Sequence, residues 1–202
     1  GFRMGRIVNF VMNLHIAPRP IWLSRHGESL ANVEGILGGD PDLSVDGYRY
    51  AESLREFVDL RIYERPLSIW TSTLQRTIHT ARPLNRPTLQ LRALDEINAG
   101  VADGLTYEQV AERFPTEFRA RAEDKLRYRY PRGESYEDVI DRLDPLIIEL
   151  ERQRHPILVI AHQAVLRALY GYFVGHAREE VPHLDIPLHT IIELTPKAYG
   201  CD

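Results

Sequence analysis

Two histidines in this 202-residue chain stand where an apolar run gives out. His26 lies in Ser24-Arg25-His26-Gly27-Glu28-Ser29, after Ile21-Trp22-Leu23, and His162 lies in Ala161-His162-Gln163-Ala164, after Ile157-Leu158-Val159-Ile160. One histidine at a strand end is more often structural than catalytic. Two from separate runs, one of them beside an arginine, reverse that expectation. Neutral imidazole is a competent nucleophile near pH 7, and arginine is always charged and matches phosphate oxygens bidentately. The pair Arg25-His26 therefore suggests phosphoryl transfer to a ring nitrogen. Other chemistries lack their residues: the chain has no His-Glu-x-x-His pair, no G-x-x-x-x-G-K-[ST] loop, no G-x-G-x-x-G fingerprint and no G-x-S-x-G elbow. Gly38-Gly39 by itself reads as a turn. The single cysteine, Cys201, offers neither an internal disulfide nor a thiolate cluster. The carboxylates are not clustered in the way that holds magnesium, so neither a metal nor a cofactor is expected.

The elements that would carry these residues follow from hydrophobic periodicity. Ile21-Trp22-Leu23, Leu67-Ser68-Ile69-Trp70, Ile157 to Ile160 and Thr190 to Leu194 read as short strands, the first three buried. Amphipathic segments lie between them. Ser44 can cap a helix that buries Tyr48, Ala51, Leu54 and Val58, and Thr106 with Gln109 forms a capping box. Ser135 and Asp138 open a helix with Val139, Leu143, Leu146, Ile147 and Leu150 toward the core, and Pro145 is expected to kink it. Strands alternating with helices predict an α/β fold, a mostly parallel sheet with helices on both faces, with ligands beyond the carboxyl ends of the strands.

Composition sets outer limits. Lys+Arg 25 against Asp+Glu 29 gives a net charge of -4, and hydrophobic content is 44%, which excludes a disordered chain and disfavours a nucleic-acid partner. No apolar stretch reaches the length of a bilayer crossing and no signal peptide is evident, so no membrane partner and a cytoplasmic location are expected. No repeat or low-complexity tract divides the sequence. Residues 1–19 read as a lead or linker ending in Ala17-Pro18-Arg19-Pro20, and residues 20–202 as one domain; a start at Gly1 and not Met reads as a piece of a longer chain.

These motifs resemble those of the histidine phosphatase superfamily, which shares the phosphoglycerate mutase-like fold. The likeness is closest to its fructose-2,6-bisphosphatases. It rests on Arg25-His26-Gly27-Glu28 with His162, Trp70-Thr71-Ser72 leading to Arg76-Thr77-Ile78, and Leu94-Asp95-Glu96-Ile97-Asn98-Ala99-Gly100. The stretch from Asp124 to Tyr136 and Pro187-Leu188-His189-Thr190 add to it, and the likeness runs from about residue 6 to the end. It implies hydrolysis of a sugar bisphosphate through a phosphohistidine, with His26 as nucleophile and Glu96 as the acid that protonates the leaving oxygen. Arg25, Arg76, Asn32 and His162 are implied to hold the transferring group, with Gly38 and Gln163 nearby. His162, if protonated, would add a charge there. Tyr107, Arg121, Lys125, Arg129, Tyr136 and Arg167 are implied to hold the sugar and its second phosphate. The spacing of four between Arg121, Lys125 and Arg129 is expected to put all three on one side. Phosphoglycerate mutases and broad phosphomonoesterases of the same superfamily remain alternatives, as does a silent binding module. The resemblance also implies a kinase domain N-terminal to this segment in a longer parent chain.

Overall fold

A computed structural model describes residues 19–62, 65–197 and 200–201. The expected lead therefore lies outside the described residues apart from Arg19, whose buried guanidinium donates to the carbonyls of Leu150 and Glu151 at 2.6 and 2.8 Å. The strands are β1 (Ile21–Arg25), β2 (Ser68–Thr71), β3 (Thr88–Gln90), β4 (Ile157–Ala161) and β5 (Ile191–Leu194), with a small hairpin of β6 (Pro196–Lys197) and β7 (Gly200–Cys201). The helices are α1 (Leu30–Glu34), α2 (Val45–Ile62), α3 (Gln75–Ala81), α4 (Tyr107–Arg113), α5 (Pro115–Glu123), α6 (Tyr136–Arg152) and α7 (Gln163–Val174). The five-stranded sheet has the order β3-β2-β4-β1-β5; only β5 runs antiparallel to its neighbour, β1. The predicted α/β class with a mostly parallel sheet is the one observed.

Alternation along the strands divides the core. Ile21, Leu23, Val159 and Ala161 pack on one face with Leu143 and Leu150 of α6 and Val165 and Leu169 of α7. Trp22, Leu158 and Ile160 pack on the other with Leu54 and Val58 of α2 and Ala81 of α3. The capping boxes at Thr106/Gln109 and Ser135/Asp138 form as expected, and α6 runs on past Pro145. One expectation differs, and one strand was not foreseen. Tyr48 is exposed, because α2 turns Tyr50 inward instead, leaving the Tyr48 hydroxyl to donate to Asp42 at 2.9 Å. Strand β3 had no sequence signal: it is three residues long, at the sheet edge, with Leu89 exposed.

Register places the chemistry. Arg25 pairs with Ala161 across β1 and β4, and Thr71 with Ile160 across β2 and β4. The next residues along, Ser72, His162 and His26, consequently emerge side by side at the carboxyl edge, where the His26 amide donates to the Ala161 carbonyl at 3.0 Å. The turn after His26 then passes so close to α2 that two glycines are needed. A Cβ on Gly27 would lie 2.4 Å from the Gly47 carbonyl oxygen, and one on Gly47 would lie 2.1 Å from that of Glu28.

A prediction of opposite sign to helix propensity follows. In a free helix Gly→Ala stabilises by about 1 kcal/mol, but Gly47→Ala must push the His26 turn away and should cost about 1–3 kcal/mol as an overpacked contact. Urea denaturation of the two proteins measures it, and a more stable variant would show that this contact is loose.

Candidate active site

The centre of the site is one N–H shared between two rings. Arg76, in the first turn of α3, directs its Nε at His26 Nε2 and His162 Nδ1, both at 3.2 Å. A guanidinium has donors and no acceptor, so both ring nitrogens must present lone pairs and each ring carries its single proton on the other nitrogen. The remaining contacts agree. His26 Nδ1–H donates to the Gly27 carbonyl at 2.7 Å, and His162 Nε2–H donates to Ser72 Oγ at 2.8 Å. Ser72 Oγ also accepts from the Leu74 amide at 3.1 Å and passes its own proton to Thr77 Oγ1 at 2.8 Å, which donates to the Leu74 carbonyl at 2.9 Å.

Both histidines are therefore neutral. Burial first, then the Arg76 guanidinium, pushes His26 down to about 3, although the Gly27 carbonyl opposes the shift. Burial, then Arg76 and His26, holds His162 well below the usual histidine value. The condition under which His162 would add a charge, protonation, is not met in the free protein. Arg76 supplies the charge, held by its Nη1 donation to the Gly39 carbonyl at 2.8 Å. Gly38 and Gly39 have φ of +72° and +65°, and a Cβ on Gly38 would overlap the Asp103 carboxylate, which accepts from the Gly39 amide at 2.8 Å. The expected turn is thus the strap that presents a carbonyl to Arg76.

Around this centre lies a cleft of about 550 Å³ lined by five cations, Arg25, Arg76, Arg121, Lys125 and Arg167, and one carboxylate, Glu96. Glu96 Oε1 accepts from the Ile97 amide at 2.9 Å and the Ala164 amide at 3.2 Å, which fixes it against the start of α7. Arg25 donates to the Ile186 carbonyl at 3.0 Å, and its buried Nε has no partner among the described residues. Asn32 lines the cleft; its Oδ1 accepts from the Ser29 amide at 3.0 Å, which leaves its amide nitrogen as a donor. Gly38 and Gln163 line it as well.

At the other end, Lys125 donates to the Pro182 carbonyl at 2.7 Å and lies over the Tyr136 ring. Arg167 donates to the Tyr136 hydroxyl at 3.0 Å, and Arg121 to that of Tyr107 at 3.3 Å. Burial, then the like charges of Arg167 and Arg121, pulls the Lys125 ammonium down to about 8. Arg129 is not brought to the cleft. Helix α5 ends at Glu123, so the spacing of four does not continue beyond it, and Arg129 pairs outside with Asp138 at 2.6 Å. Tyr128 and Tyr130 line the cleft in its place. Ser72 and Thr77, which set the His162 tautomer, belong to the Trp70 to Ile78 motif but were given no role from sequence. His189, from the Pro187 to Thr190 motif, accepts from the Glu28 amide at 3.2 Å and stacks on Tyr50, bracing the His26 turn from behind.

With this geometry the chain belongs to the histidine phosphatase superfamily (branch 1), whose family model matches residues 21–202. It is 59% identical over 196 residues to the 6-phosphofructo-2-kinase/fructose-2,6-bisphosphatase of Arabidopsis thaliana, covering 96% of this chain and 26% of that protein. It is 53% identical over 195 residues to the fructose-2,6-bisphosphatase of Saccharomyces cerevisiae, covering 96% of this chain and 43% of that protein. The chain thus spans less than half the length of either of these curated relatives. Among solved structures, mycobacterial glucosyl-3-phosphoglycerate phosphatase in complex with VO3 superposes with a TM-score of 0.75 at 28% identity, covering 87% of this chain and 92% of that one. The α-ribazole phosphatase of Shigella flexneri shares the fold, with a TM-score of 0.81 at 23% identity over 90% of this chain and 93% of that one. No helix among the described residues is long and apolar enough to cross a membrane.

The neutral histidines set a pH dependence. An unfolded histidine binds a proton below about 6.5, whereas folded His26 resists until about 3. Between those values the unfolded state holds more protons, so stability rises with pH and is lost as pH falls through the window. Each such histidine contributes a slope of about 1.4 kcal/mol per pH unit well below 6.5. Chemical denaturation from pH 6.5 to 4.5 should show His26→Gln losing stability less steeply than the parent, and parallel curves would mean that His26 titrates normally.

Proposed function

We propose that this chain hydrolyses fructose 2,6-bisphosphate to fructose 6-phosphate and phosphate through a phosphohistidine at His26. The observation that carries the reading is the division of the cleft into two cationic poles. Arg25 and Arg76 act on His26, and Arg167 and Arg121 act on Lys125, which burial and then these two like charges pull down to about 8, with Arg167 also meeting the charge of Arg25. Three cations held so near one another await an anion, and a second phosphate on the substrate supplies it. A phosphoglycerate mutase or a general phosphomonoesterase would leave that pole without this partner. The names of the curated relatives support the same substrate.

The geometry suits the chemistry. In the free protein the lone pair of His26 Nε2 is occupied by the Arg76 N–H. A phosphoryl oxygen is the stronger acceptor, so the arriving substrate draws that N–H away and uncovers the nucleophile. The unpartnered Nε of Arg25 and the amide of Asn32 add donors for the equatorial oxygens. His26 Nε2 forms a bond to phosphorus, the bond from phosphorus to the sugar 2-oxygen breaks, and Glu96 passes a proton to that oxygen. His26 keeps its Nδ1–H on the Gly27 carbonyl throughout, which holds the ring in line. The 202 residues contain no phosphate loop, so the kinase activity in the relatives' names is assigned here to a further domain of a longer parent protein.

Substitution at each pole tests the reading. His26→Ala should abolish an acid-labile, alkali-stable phosphoprotein formed from substrate labelled at the 2-phosphate, and full labelling of the variant would refute the nucleophile. Lys125→Ala removes one charge-assisted contact of roughly 1.5–3 kcal/mol and should raise KM for the bisphosphate about ten- to hundredfold with little change in kcat. Cleavage of a plain aryl phosphate should be unaffected; equal losses on both would favour a general phosphatase. Because free Lys125 loses its proton near 8, KM for the bisphosphate should climb above that pH, and Lys125→Arg, which stays charged, should flatten the climb.

A further inference from the structure

A second cavity, of about 770 Å³, shares Gly38, Arg76, Glu96 and Ile97 with the cation-lined cleft, so these four form the wall between them. It lacks the cleft's excess of cations. Asp40, Asp95, Glu96, Asp103 and Glu134 outnumber its four arginines, and Arg142 among those is already paired with Glu134 at 2.9 Å. Arg76 and Glu96 thus border both cavities, whereas His26 lines only the cleft.

We propose that this second cavity is the entrance by which water reaches the phosphohistidine while the sugar product still occupies the cleft. The inference rests on the function proposed above. In-line displacement requires the water to attack phosphorus opposite His26 Nε2, at the place the sugar oxygen has just left, beside Glu96. Sugar phosphate held by Lys125, Arg121 and Arg167 closes that approach from the cleft mouth. Glu96 belongs to both cavities, so water entering from the second meets the carboxylate that has just given up its proton. The step balances: the water oxygen bonds to phosphorus, its proton returns to Glu96, and the P–N bond breaks with its electron pair going back to His26 Nε2. With Glu96 protonated, the remaining four carboxylates balance the four arginines, so this route lacks the cationic excess that draws the bisphosphate into the cleft, whereas neutral water needs no such excess.

Leu74 and Arg92 line the second cavity and not the cleft, so enlarging either obstructs one entrance alone. The experiment is a single turnover with excess enzyme and substrate labelled at the 2-phosphate, following the rise and decay of labelled phosphoprotein in Leu74→Trp, Arg92→Trp, Leu74→Ala and the parent. Leu74→Trp and Arg92→Trp should keep the parent's rate of rise and slow the decay at least tenfold, more so with added fructose 6-phosphate. Leu74→Ala should decay as fast as the parent. Unchanged decay in both tryptophan variants overturns the inference, as does a rise and decay that fall together, which would place both residues in substrate binding. Absence of labelled phosphoprotein in the parent instead refutes the proposed function itself.

Discussion

The single Nε–H of Arg76, directed at His26 and His162 together, is the constraint on which the rest of the site depends. A buried guanidinium with two imidazole acceptors forces both rings to be neutral and dictates which nitrogen of each bears the proton. Those protons then need acceptors, and in a desolvated site an unmet donor is costly. The Gly27 carbonyl meets one and Ser72 the other, and Thr77 closes the chain on the Leu74 carbonyl. The arrangement is complete without a ligand, yet it keeps the nucleophilic lone pair engaged only by a donor that an anion can take over.

That constraint reaches into the scaffold. The two rings lie 5.0 Å apart because β1 and β4 are parallel neighbours in the register that pairs Arg25 with Ala161, so each strand delivers its histidine at the same height. The turn that follows His26 is pressed against α2 at Gly27 and Gly47 and braced by His189, while the Gly38-Gly39 strap holds the far side of Arg76. Backbone, where a side chain would not fit, does the positioning on both sides.

A net charge of -4 gives no hint of a cleft with five cations and one carboxylate. The acidic residues are spent elsewhere, on surface pairs such as Arg129 with Asp138 and on the neighbouring cavity. Locally, burial and then the neighbouring arginines lower the Lys125 ammonium, and the same gathered charge favours an entering anion.

Much of this was legible in the chain. The apolar runs with histidines at their ends, the capping boxes at Thr106 and Ser135, and the alternation of strands and helices are local patterns, set by side-chain period and backbone hydrogen bonding within a few residues. They determined the fold class and pointed to His26 and His162, and resemblance to a known family supplied Arg76 and Glu96. What required the tertiary structure were relations between distant segments. Arg129 follows Lys125 by four residues, but the helix that would make four residues one turn stops at Glu123. Tyr48 and Tyr50 are equally plausible core residues in the sequence, and only packing of α2 against the sheet chose Tyr50. The neutrality of His162 and the part played by Ser72 come from burial and from a donor 86 residues away in the chain, in Arg76. Periodicity carries information about a residue's own turn or strand; protonation, and which of several cations faces a ligand, are decided by groups that only the folded chain brings together.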